Sequence, residues 1–235
     1  MVLVLFCFGF FGYYECMKDL RATQDYIKSI ATLLMKSTDD VVKLKVVSEK
    51  LTVSHSAVCD MVKKLEKEGY VKNHSYKGVE LTDKGWGLGR RLIRHHRLWE
   101  VFLHQTLQVP WDEVHDEAEH LEHAASDTLM NRIDEVLGFP EVDPHGNPIP
   151  TADGKVVFNE NEKVLFDIPI NKSHSIHRFE SLDPAYLNYL SQHGFCIGAE
   201  IRVVERFDFD QSIICELNGH KIQFSLTIAK QIFVS

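Results

Sequence analysis

The first part of the chain places two short helical patterns before two short strand patterns, and this order constrains the fold more than any other feature. One helix is predicted around Lys45–Leu51 and a second over Ser56–Glu68, because apolar residues recur at helical spacing in both. Ser54 or Ser56 is a suitable N-cap for the second helix, and Gly69 is a suitable stop. Two strands around a Tyr-Lys-Gly turn then complete a winged helix-turn-helix, whose recognition helix enters the major groove of DNA. A further helix over residues 23–36 completes the domain, which we assign to residues 17–87.

DNA contacts are predicted at the leading end of this recognition helix and on the wing. Residues near the start of a recognition helix reach base edges, whereas basic residues further along and on the wing contact phosphates. The candidates for base contact are Ser54, His55, Ser56 and Asp60, and those for phosphate contact are Lys63, Lys64, His74 and Lys77. A winged helix used only for protein contact is the alternative.

Charge is divided unevenly along the chain, although its net value is −8. Residues 17–98 hold 17 Lys and Arg against 10 Asp and Glu, whereas residues 99–235 hold 9 against 23. A basic segment attracts the phosphates of nucleic acid even when the rest of the chain is acidic. The asymmetry favours double-stranded DNA as the partner of the first domain, and chance asymmetry between two domains is the alternative.

A helical domain is predicted after the winged helix. Apolar residues recur at helical spacing from residue 88 onward, and Pro110 interrupts the pattern. The pattern then resumes in a single helix over residues 112–137. We therefore assign residues 88–140 to a second domain made of helices.

The last part of the chain changes from helical to alternating patterns. Residues 141–162 are rich in Pro, Gly and Asp, and we assign them as a linker. Residues 163–235 contain short alternating segments typical of a small β-barrel of about five strands, with one helix around Pro184–His193. The fold class predicted for the whole chain is therefore α+β, with three folded domains.

An apolar run of 14 residues opens the chain. It is shorter than the roughly 18–20 residues that span a bilayer, and it lacks the basic start and the cleavage pattern of a signal peptide. We interpret residues 1–16 as an extension before a more natural start at Met17, with a membrane-tethered regulator as the alternative. Five cysteines without CxxC spacing argue against a disulfide framework and are typical of the reducing cytoplasm.

Potential metal ligands are concentrated in the second domain. His115, Glu119, Glu122 and His123 are separated by 4, 3 and 1 positions, which places them on one broad face of a helix. The preceding helix offers His96 and Glu100, which are four positions apart. Imidazoles and carboxylates that converge from two helices form the natural lining of a divalent-cation site. A solvated helix face with charged pairs is the alternative.

These motifs resemble the diphtheria-toxin-repressor family of metalloregulators. The resemblance rests on the winged helix, RHHRLWE at 94–100, VHDEAEHLEH at 114–123 and HGNPIP at 145–150, and it covers Met17 to Ser235. It implies a homodimeric repressor that binds operator DNA when loaded with a divalent cation and that controls metal-uptake genes. The resemblance also makes the second domain a dimerisation domain and the last one an SH3-like (ferrous-transport-A-like) domain.

The resemblance implies two separated metal sites in each subunit. The primary site would use Asp25, Glu119, Glu122 and His123. The secondary site would use His96, Glu100 and His115, completed by Glu180 of the SH3-like domain, with Asp183 as the next choice. A cation held by Asp25 and the second domain would restrain the DNA-binding domain, and so set the separation of two recognition helices in a dimer.

The metal is inferred from positions at which this chain differs from known members of the family that it resembles. Iron-responsive members have Met and Cys where this chain has Asp25 and Glu119. Hard carboxylate oxygen in place of soft sulfur favours Mn²⁺, with Fe²⁺ as the alternative. Short manganese sensors place a liganding Glu where this chain has Lys28, which argues against a closely spaced binuclear site.

Two rival functions use the same features. A metal-dependent hydrolase could use the His and Glu cluster of the helical domain, but it would need an open coordination position and a substrate cleft. No nucleophile motif, phosphate-binding glycine loop or nucleotide fingerprint is present in the sequence, so we expect a non-enzyme without a small-molecule substrate. A scaffold that recruits a partner through the last domain is the other alternative.

Overall fold

The computed structural model describes residues 20–235, and the extension predicted at residues 1–16 lies outside them. The described residues form two compact units. The first comprises the residues up to His95 together with Ala152–Gly154, and the second comprises His96–Thr151 and Lys155–Ser235. Within this described part of the chain, no helix is both long enough and apolar enough to cross a membrane.

The first unit is the predicted winged helix-turn-helix, built on one apolar core. Ile27 and Ile30 of the first helix share a fully buried cluster with Val58 and Leu65 of the recognition helix. Burial of these aliphatic side chains holds the two helices together. The elements in chain order are α1 (helical in residues 20–35), α2 (Leu44–Leu51), α3 (His55–Lys67), β1 (Val71–His74), β2 (Gly78–Leu81) and the start of α4 (Asp83–Leu107).

Both ends of the recognition helix α3 carry the predicted signals. Of the two candidate caps, Ser54 is the one used, because its Oγ accepts a hydrogen bond of 3.2 Å from the backbone N of Ala57. Gly69 follows the helix with a φ of 78°, a left-handed conformation that glycine adopts readily. The chain then enters the antiparallel β1–β2 hairpin, in which His74 pairs with Gly78.

Helix α4 begins at Asp83, five residues before the predicted start. Three glycines weaken the helical pattern there, and two of them are required by close packing. A Cβ on Gly85 would lie 2.1 Å from the backbone O of Tyr70, and one on Gly89 would lie 2.6 Å from the Cβ of Ala31. The glycines lower the helix propensity of this segment, but the helix forms because its close packing against neighbouring segments outweighs that loss.

The single helix predicted over residues 112–137 is wrong. The structure has two helices there, α5 (Val114–Leu121) and α6 (Asp127–Val136). Ser126 adopts an extended conformation and its side chain accepts a hydrogen bond of 3.2 Å from the N of Leu129, so it caps a new helix. The apolar spacing continues across this break because both helices bury one face.

Two apolar clusters hold the helices of the second unit together. Leu98 of α4 and Met130 of α6 belong to one cluster, and both are fully buried. Leu103 of α4 and Val114 of α5 belong to the other, and Trp99 packs against both clusters. The end of α4 is therefore fixed against α5 and α6, and this fixes the polar side chains that these helices carry.

The predicted β domain is a six-stranded antiparallel sheet with the strand order β3-β8-β4-β5-β6-β7. Neighbouring strands in that order are hydrogen-bonded to each other. Among the described strands, β3 and β7 form the two edges of the sheet, which does not close into a barrel. The elements are β3 (Lys163–Val164), a 3-10 turn (Leu165–Asp167), β4 (Ser173–Phe179), α7 (Pro184–Gln192), β5 (Glu200–Arg206), β6 (Ile213–Leu217), β7 (His220–Phe224), α8 (Leu226–Ala229) and β8 (Ile232–Val234).

Two details of this sheet differ from the prediction. Strand β4 was not predicted, because His174, His177 and Arg178 interrupt the apolar alternation of its sequence. Its register also shifts at a bulge between Ile176 and Arg178. The alternating sequence at the C-terminal end is not strand throughout, since the short helix α8, preceded by Ser225, separates β7 from β8.

Candidate metal centre

Two histidine side chains of the second unit meet at one oxygen of Glu100. His96 lies one helical turn before Glu100 on α4, and its Nε2 is 2.9 Å from Glu100 Oε1. The Nδ1 of His115, on α5, is 3.1 Å from the same oxygen and 3.0 Å from His96 Nε2. The structure thus brings together the three helical residues of the predicted secondary site.

The second oxygen of Glu100 faces a group that was not predicted. Glu100 Oε2 lies 3.9 Å from Nδ1 of His145, and that nitrogen lies 4.0 Å from Oδ1 of Asp143. All three residues are buried and offer ligand atoms close enough for one metal ion. Glu100 Oε2 and His145 Nδ1 are buried without a hydrogen-bond partner among the described residues. Such atoms are rare in folded proteins unless a water or an ion satisfies them.

The carbonyl group of Trp111 determines which nitrogen of His145 can bind a metal. His145 Nε2 lies 2.8 Å from this oxygen. Because a carbonyl oxygen only accepts, Nε2 carries the ring proton and donates a hydrogen bond to it. In the neutral ring Nδ1 therefore holds the lone pair, directed towards the carboxylate group of Glu100.

Two carboxylates are buried here, and Arg97 Nε, 3.7 Å from Asp143 Oδ2, offsets part of their negative charge. Burial raises the pKa of Asp143, and the charge of Glu100 raises it further. Burial also raises the pKa of Glu100, but the charge of His96 and hydrogen bonds from His115 and His96 outweigh it and hold that pKa well below its usual value. A cation between Glu100 and Asp143 would offset both the burial of charge and the mutual repulsion.

The geometry of this group fits a divalent cation. Bonds of about 2.0–2.2 Å from metal to oxygen or nitrogen allow two ligands of one ion to lie up to about 4.2 Å apart. The separations of 3.9 Å and 4.0 Å from His145 Nδ1 lie within that limit. Glu100, Asp143 and His145 would therefore hold the ion, which would supply positive charge between the carboxylates.

The loop that carries His145 is held on both sides within the second unit. Asp143 Oδ1 accepts hydrogen bonds from the backbone N of His145 at 2.8 Å and of Asn147 at 2.9 Å. The carbonyl of His145 in turn accepts a bond of 2.9 Å from the N of Phe179 on β4. Asp143 thus has two functions, because it faces the ligand group and also shapes the turn that orients His145.

Gly146 is required where this loop meets strand β4. Its φ is +88°, and an added Cβ would lie 2.1 Å from the backbone O of His177. We expect Gly146→Ala to lower the free energy of unfolding by about 2–4 kcal/mol, because it adds backbone strain and a clash with main-chain atoms. Urea denaturation measures the loss.

Gly198 is the matched control for this substitution. Its φ is +84°, but no described atom lies within 4 Å of an added Cβ. Gly198→Ala should therefore show only the conformational cost of about 1 kcal/mol. Equal losses for the two variants would show that the contact between Gly146 and His177 is unimportant.

A second group of acidic and imidazole side chains lies at the end of α5. Glu122 is buried, and its Oε2 is 2.6 Å from His96 Nδ1 while its Oε1 is 3.3 Å from His123 Nε2. Glu119 Oε1 lies 3.8 Å from His96 Nδ1. Because α5 ends at Leu121, Glu122 and His123 sit in the turn that follows it rather than on a continuous helical face. His96 links this group to Glu100.

The remaining predicted ligands lie elsewhere. Asp25 is half-buried on α1, in the first unit, and its membership of the primary ligand set stays a prediction. Glu180 forms an ion pair with Arg178, which also binds Glu162 at 2.7 Å. Asp183 caps α7, accepting a hydrogen bond of 2.9 Å from the N of Ala185. Neither Glu180 nor Asp183 belongs to a group of potential metal ligands found among the described residues.

The predicted DNA contacts divide into exposed and half-buried side chains. Asp60 is paired with Lys63 at 3.0 Å, and both are exposed. Lys64 is half-buried and donates a hydrogen bond of 3.3 Å to Thr23 Oγ1, which draws it towards α1. Ser54 Oγ serves the N-cap and lies 3.0 Å from Ser56 Oγ. The exposed residues of the predicted set are Ser54, His55, Ser56, Asp60, Lys63 and Lys77, and His74 is half-buried.

Asp143 and His145 are the candidate ligands that sequence reasoning missed. They lie in the segment assigned as a linker because of its Pro and Gly content, yet both are buried. The one signal was that His145 opens the HGNPIP motif at 145–150, because Asp is common in exposed turns and gives none by itself. Only their contacts with Glu100, 43 and 45 positions away, give them a role.

Three family models match the chain. Residues 20–79 match the iron dependent repressor, N-terminal DNA binding domain. Residues 82–151 match the iron dependent repressor, metal binding and dimerisation domain. Residues 163–235 match the FeoA domain. Together these matches confirm the predicted order of a DNA-binding, a metal-binding and a ferrous-transport-A-like segment.

Individual relatives agree with these matches. The diphtheria toxin repressor of Corynebacterium diphtheriae is 30% identical over 215 residues, which cover 88% of this chain and 94% of that protein. The iron-dependent repressor IdeR of Mycobacterium tuberculosis is 35% identical over 129 residues, so the chain matches only about half of that relative's length, 55%. A solved "manganese-dependent transcriptional repressor complex with manganese" is 38% identical, with a TM-score of 0.82, and the match covers 90% of this chain and 98% of that one. The names of these relatives give the hydrolase interpretation no support. The chain belongs to the diphtheria-toxin-repressor family of metal-dependent transcriptional repressors.

Proposed function

We propose that this protein is a manganese-activated repressor that binds operator DNA as a homodimer and has no catalytic activity. The observation that carries the proposal is the buried group of Glu100, Asp143 and His145. Two of its ligand atoms, Glu100 Oε2 and His145 Nδ1, have no other partner among the described residues. Buried polar atoms of this kind are normally satisfied by a water or an ion, and two carboxylates with an imidazole nitrogen suit a divalent cation. Family membership connects that cation to DNA binding.

The donor atoms favour Mn²⁺ over Fe²⁺. The groups of potential ligands found among the described residues offer only carboxylate oxygen and imidazole nitrogen. Hard oxygen donors suit Mn²⁺, whereas soft thiolate or thioether donors would favour other metals. The solved relative named as a manganese-dependent repressor supports the same choice, while IdeR is named as iron-dependent.

We assign the secondary site to Glu100, Asp143 and His145 instead of the expected set of His96, Glu100 and His115. Both ring nitrogens of His96 already face carboxylates, with Glu122 on one side and Glu100 on the other. His96 therefore serves better as a link between the two acidic groups than as a ligand. The primary site is proposed on Glu119, Glu122 and His123, with Asp25 as the fourth ligand expected from the sequence.

Exposed apolar residues support a homodimer. Leu129 and Val136 are seven positions apart and so lie on one side of α6, and they are 46% and 76% exposed. Phe139, just beyond the helix, is 67% exposed. Apolar side chains in this number are more typical of a protein interface than of a free surface. We expect the repressor to act in the cytoplasm, where operator DNA lies.

Fluorescence anisotropy tests the proposal with the full chain. A duplex of about 40 base pairs, long enough for two half-sites, is first selected from a random-sequence library by the protein in Mn²⁺; we call it the selected duplex. At one salt concentration, we expect Mn²⁺ to lower the Kd for this duplex at least about 100-fold relative to chelator, and anaerobic Fe²⁺ to lower it less. Equal binding with chelator and with metal would contradict the proposal.

A further inference from the structure

The tip of the wing carries a tyrosine that does not contribute to the fold. Tyr76 lies in the turn between β1 and β2, which is closed by a hydrogen bond of 3.0 Å from the N of Lys77 to the O of His74. Its exposed fraction is 108%, so the aromatic ring is entirely in solvent. Its φ is +65°, a left-handed conformation that disfavours residues with a Cβ.

This combination is unfavourable for the isolated protein. The third position of such a turn prefers Gly or Asn, because these residues adopt a positive φ more easily than Tyr. A ring in solvent gains no packing energy that would offset the strain, and its exposed apolar surface is itself unfavourable. Strain without an internal benefit is characteristic of positions that contact a ligand or partner.

The wing is held rigidly beside the recognition helix. The backbone N of Asn73 on β1 donates a hydrogen bond of 2.9 Å to Glu66 Oε1 of α3. On the other side, Val79 of β2 forms an antiparallel bridge with Val42, through bonds of 2.9 and 3.0 Å. A Cβ on Gly78 would lie 2.3 Å from the O of Val42, so this approach is as close as a glycine allows. The turn therefore projects Tyr76 at a defined place next to α3.

Charges on the wing are arranged so that the tip is basic. Glu80 is the acidic residue of the hairpin, and it is paired with Lys72 at 3.2 Å and with His74 at 2.7 Å. These partners hold the pKa of Glu80 below its usual value. Lys77, adjacent to Tyr76, is exposed. A hydroxyl group and an ammonium group are therefore presented together at the end of the hairpin.

We propose that Tyr76 contacts the DNA backbone next to the groove occupied by α3, with its hydroxyl donating to a phosphate oxygen and its ring lying against a deoxyribose. The inference rests on the proposed function. It adds a DNA contact that lies on the wing, outside the recognition helix. Tyrosine hydroxyls are among the usual donors to DNA phosphates, and such contacts position a protein without reading bases. The contact is therefore independent of sequence, and it adds to the phosphate contact expected from Lys77.

Anisotropy with the selected duplex in Mn²⁺ tests this contact. We expect Tyr76→Ala to raise the Kd about tenfold, and Tyr76→Phe, which loses only the hydroxyl, to raise it about threefold. Random-sequence DNA should lose affinity by the same factors. Because Tyr76 is uncharged, the slope of log Kd against log salt should stay unchanged, whereas Lys77→Ala should reduce the slope by about one for each wing.

Phe209→Ala is the matched control, because Phe209 is also an exposed aromatic side chain (88%) but lies in the β5–β6 loop of the second unit. It should leave DNA affinity unchanged, and thermal unfolding confirms that each variant is folded. Full DNA affinity of Tyr76→Ala, with wild-type dependence on Mn²⁺, would overturn this inference and leave the proposed function intact. A loss limited to the selected duplex would also overturn it, since it would indicate base reading. Failure of the wild-type protein to bind DNA in Mn²⁺ would overturn both.

Discussion

The His145→Ala protein is expected to bind one Mn²⁺ ion fewer per chain than the wild-type protein. His145 Nδ1 and Glu100 Oε2 face each other at 3.9 Å in a buried space, and both lack another partner among the described residues. Loss of a ligand should weaken this site by about 100-fold or more, because even residues that only orient ligands account for 10–100-fold. Isothermal titration calorimetry with Mn²⁺ measures both the stoichiometry and the affinity.

Two further histidine variants make this experiment decisive. His120 is exposed and its Nδ1 lies 2.7 Å from the O of Asp116, one turn earlier on its own helix, so His120→Ala should keep the wild-type stoichiometry. His115→Ala tests the alternative ligand set, and we expect it to weaken binding at this site far less than His145→Ala. The opposite order, with His115 essential and His145 dispensable, would restore the set predicted from the sequence.

Replacement of Glu122 by Gln is expected to abolish most of the effect of Mn²⁺ on DNA binding. Glu122 is buried between His96 and His123, at 2.6 and 3.3 Å, and Gln keeps its shape while removing its charge. A divalent cation held by fewer carboxylates binds less tightly. The metal raises DNA affinity only to the extent that it binds the DNA-binding conformation more tightly than the other conformations. We expect the gain in affinity between chelator and Mn²⁺ to fall at least tenfold, as measured by anisotropy with the selected duplex.

Glu117 provides the control for this variant. It lies on the same helix, α5, but its side chain is exposed. Glu117→Gln changes the net charge by the same amount and should keep the full response to Mn²⁺. A similar loss for both variants would attribute the effect to overall charge. A full response of Glu122→Gln would remove Glu122 from the primary site, whatever the result at His145.

The N-terminal winged helix was predictable because its signals are local. An N-cap serine, a glycine stop and apolar residues at helical spacing act within a few positions of each other, and α3 and the hairpin lie where these signals place them. The break between α5 and α6 was missed although Ser126 is a normal cap. Apolar residues continue at helical spacing on both sides of it, so periodicity alone cannot reveal an interruption.

Much of the metal centre was also encoded locally. His96 and Glu100 are one helical turn apart, so any helix through them presents both on one side. The same holds for His115 and Glu119, one turn apart on α5, although Glu122 in the turn beyond it depends on where that helix ends. The sequence by itself thus determined the class of protein, the DNA-binding fold and the helices that offer ligands.

Only the tertiary structure shows which of these side chains lie close enough together to share a cation. The loop of Asp143 and His145 comes to Glu100 through hydrogen bonds to Phe179, Trp111 and its own backbone, and none of these contacts has a signal in local spacing. Glu180, which directly follows β4, forms an ion pair with Arg178 of that same strand. Side-chain chemistry can be read from a sequence, but burial and the pairing of distant charges depend on contacts between segments far apart in the chain. The group of Glu100, Asp143 and His145 could therefore be recognised only in the folded chain.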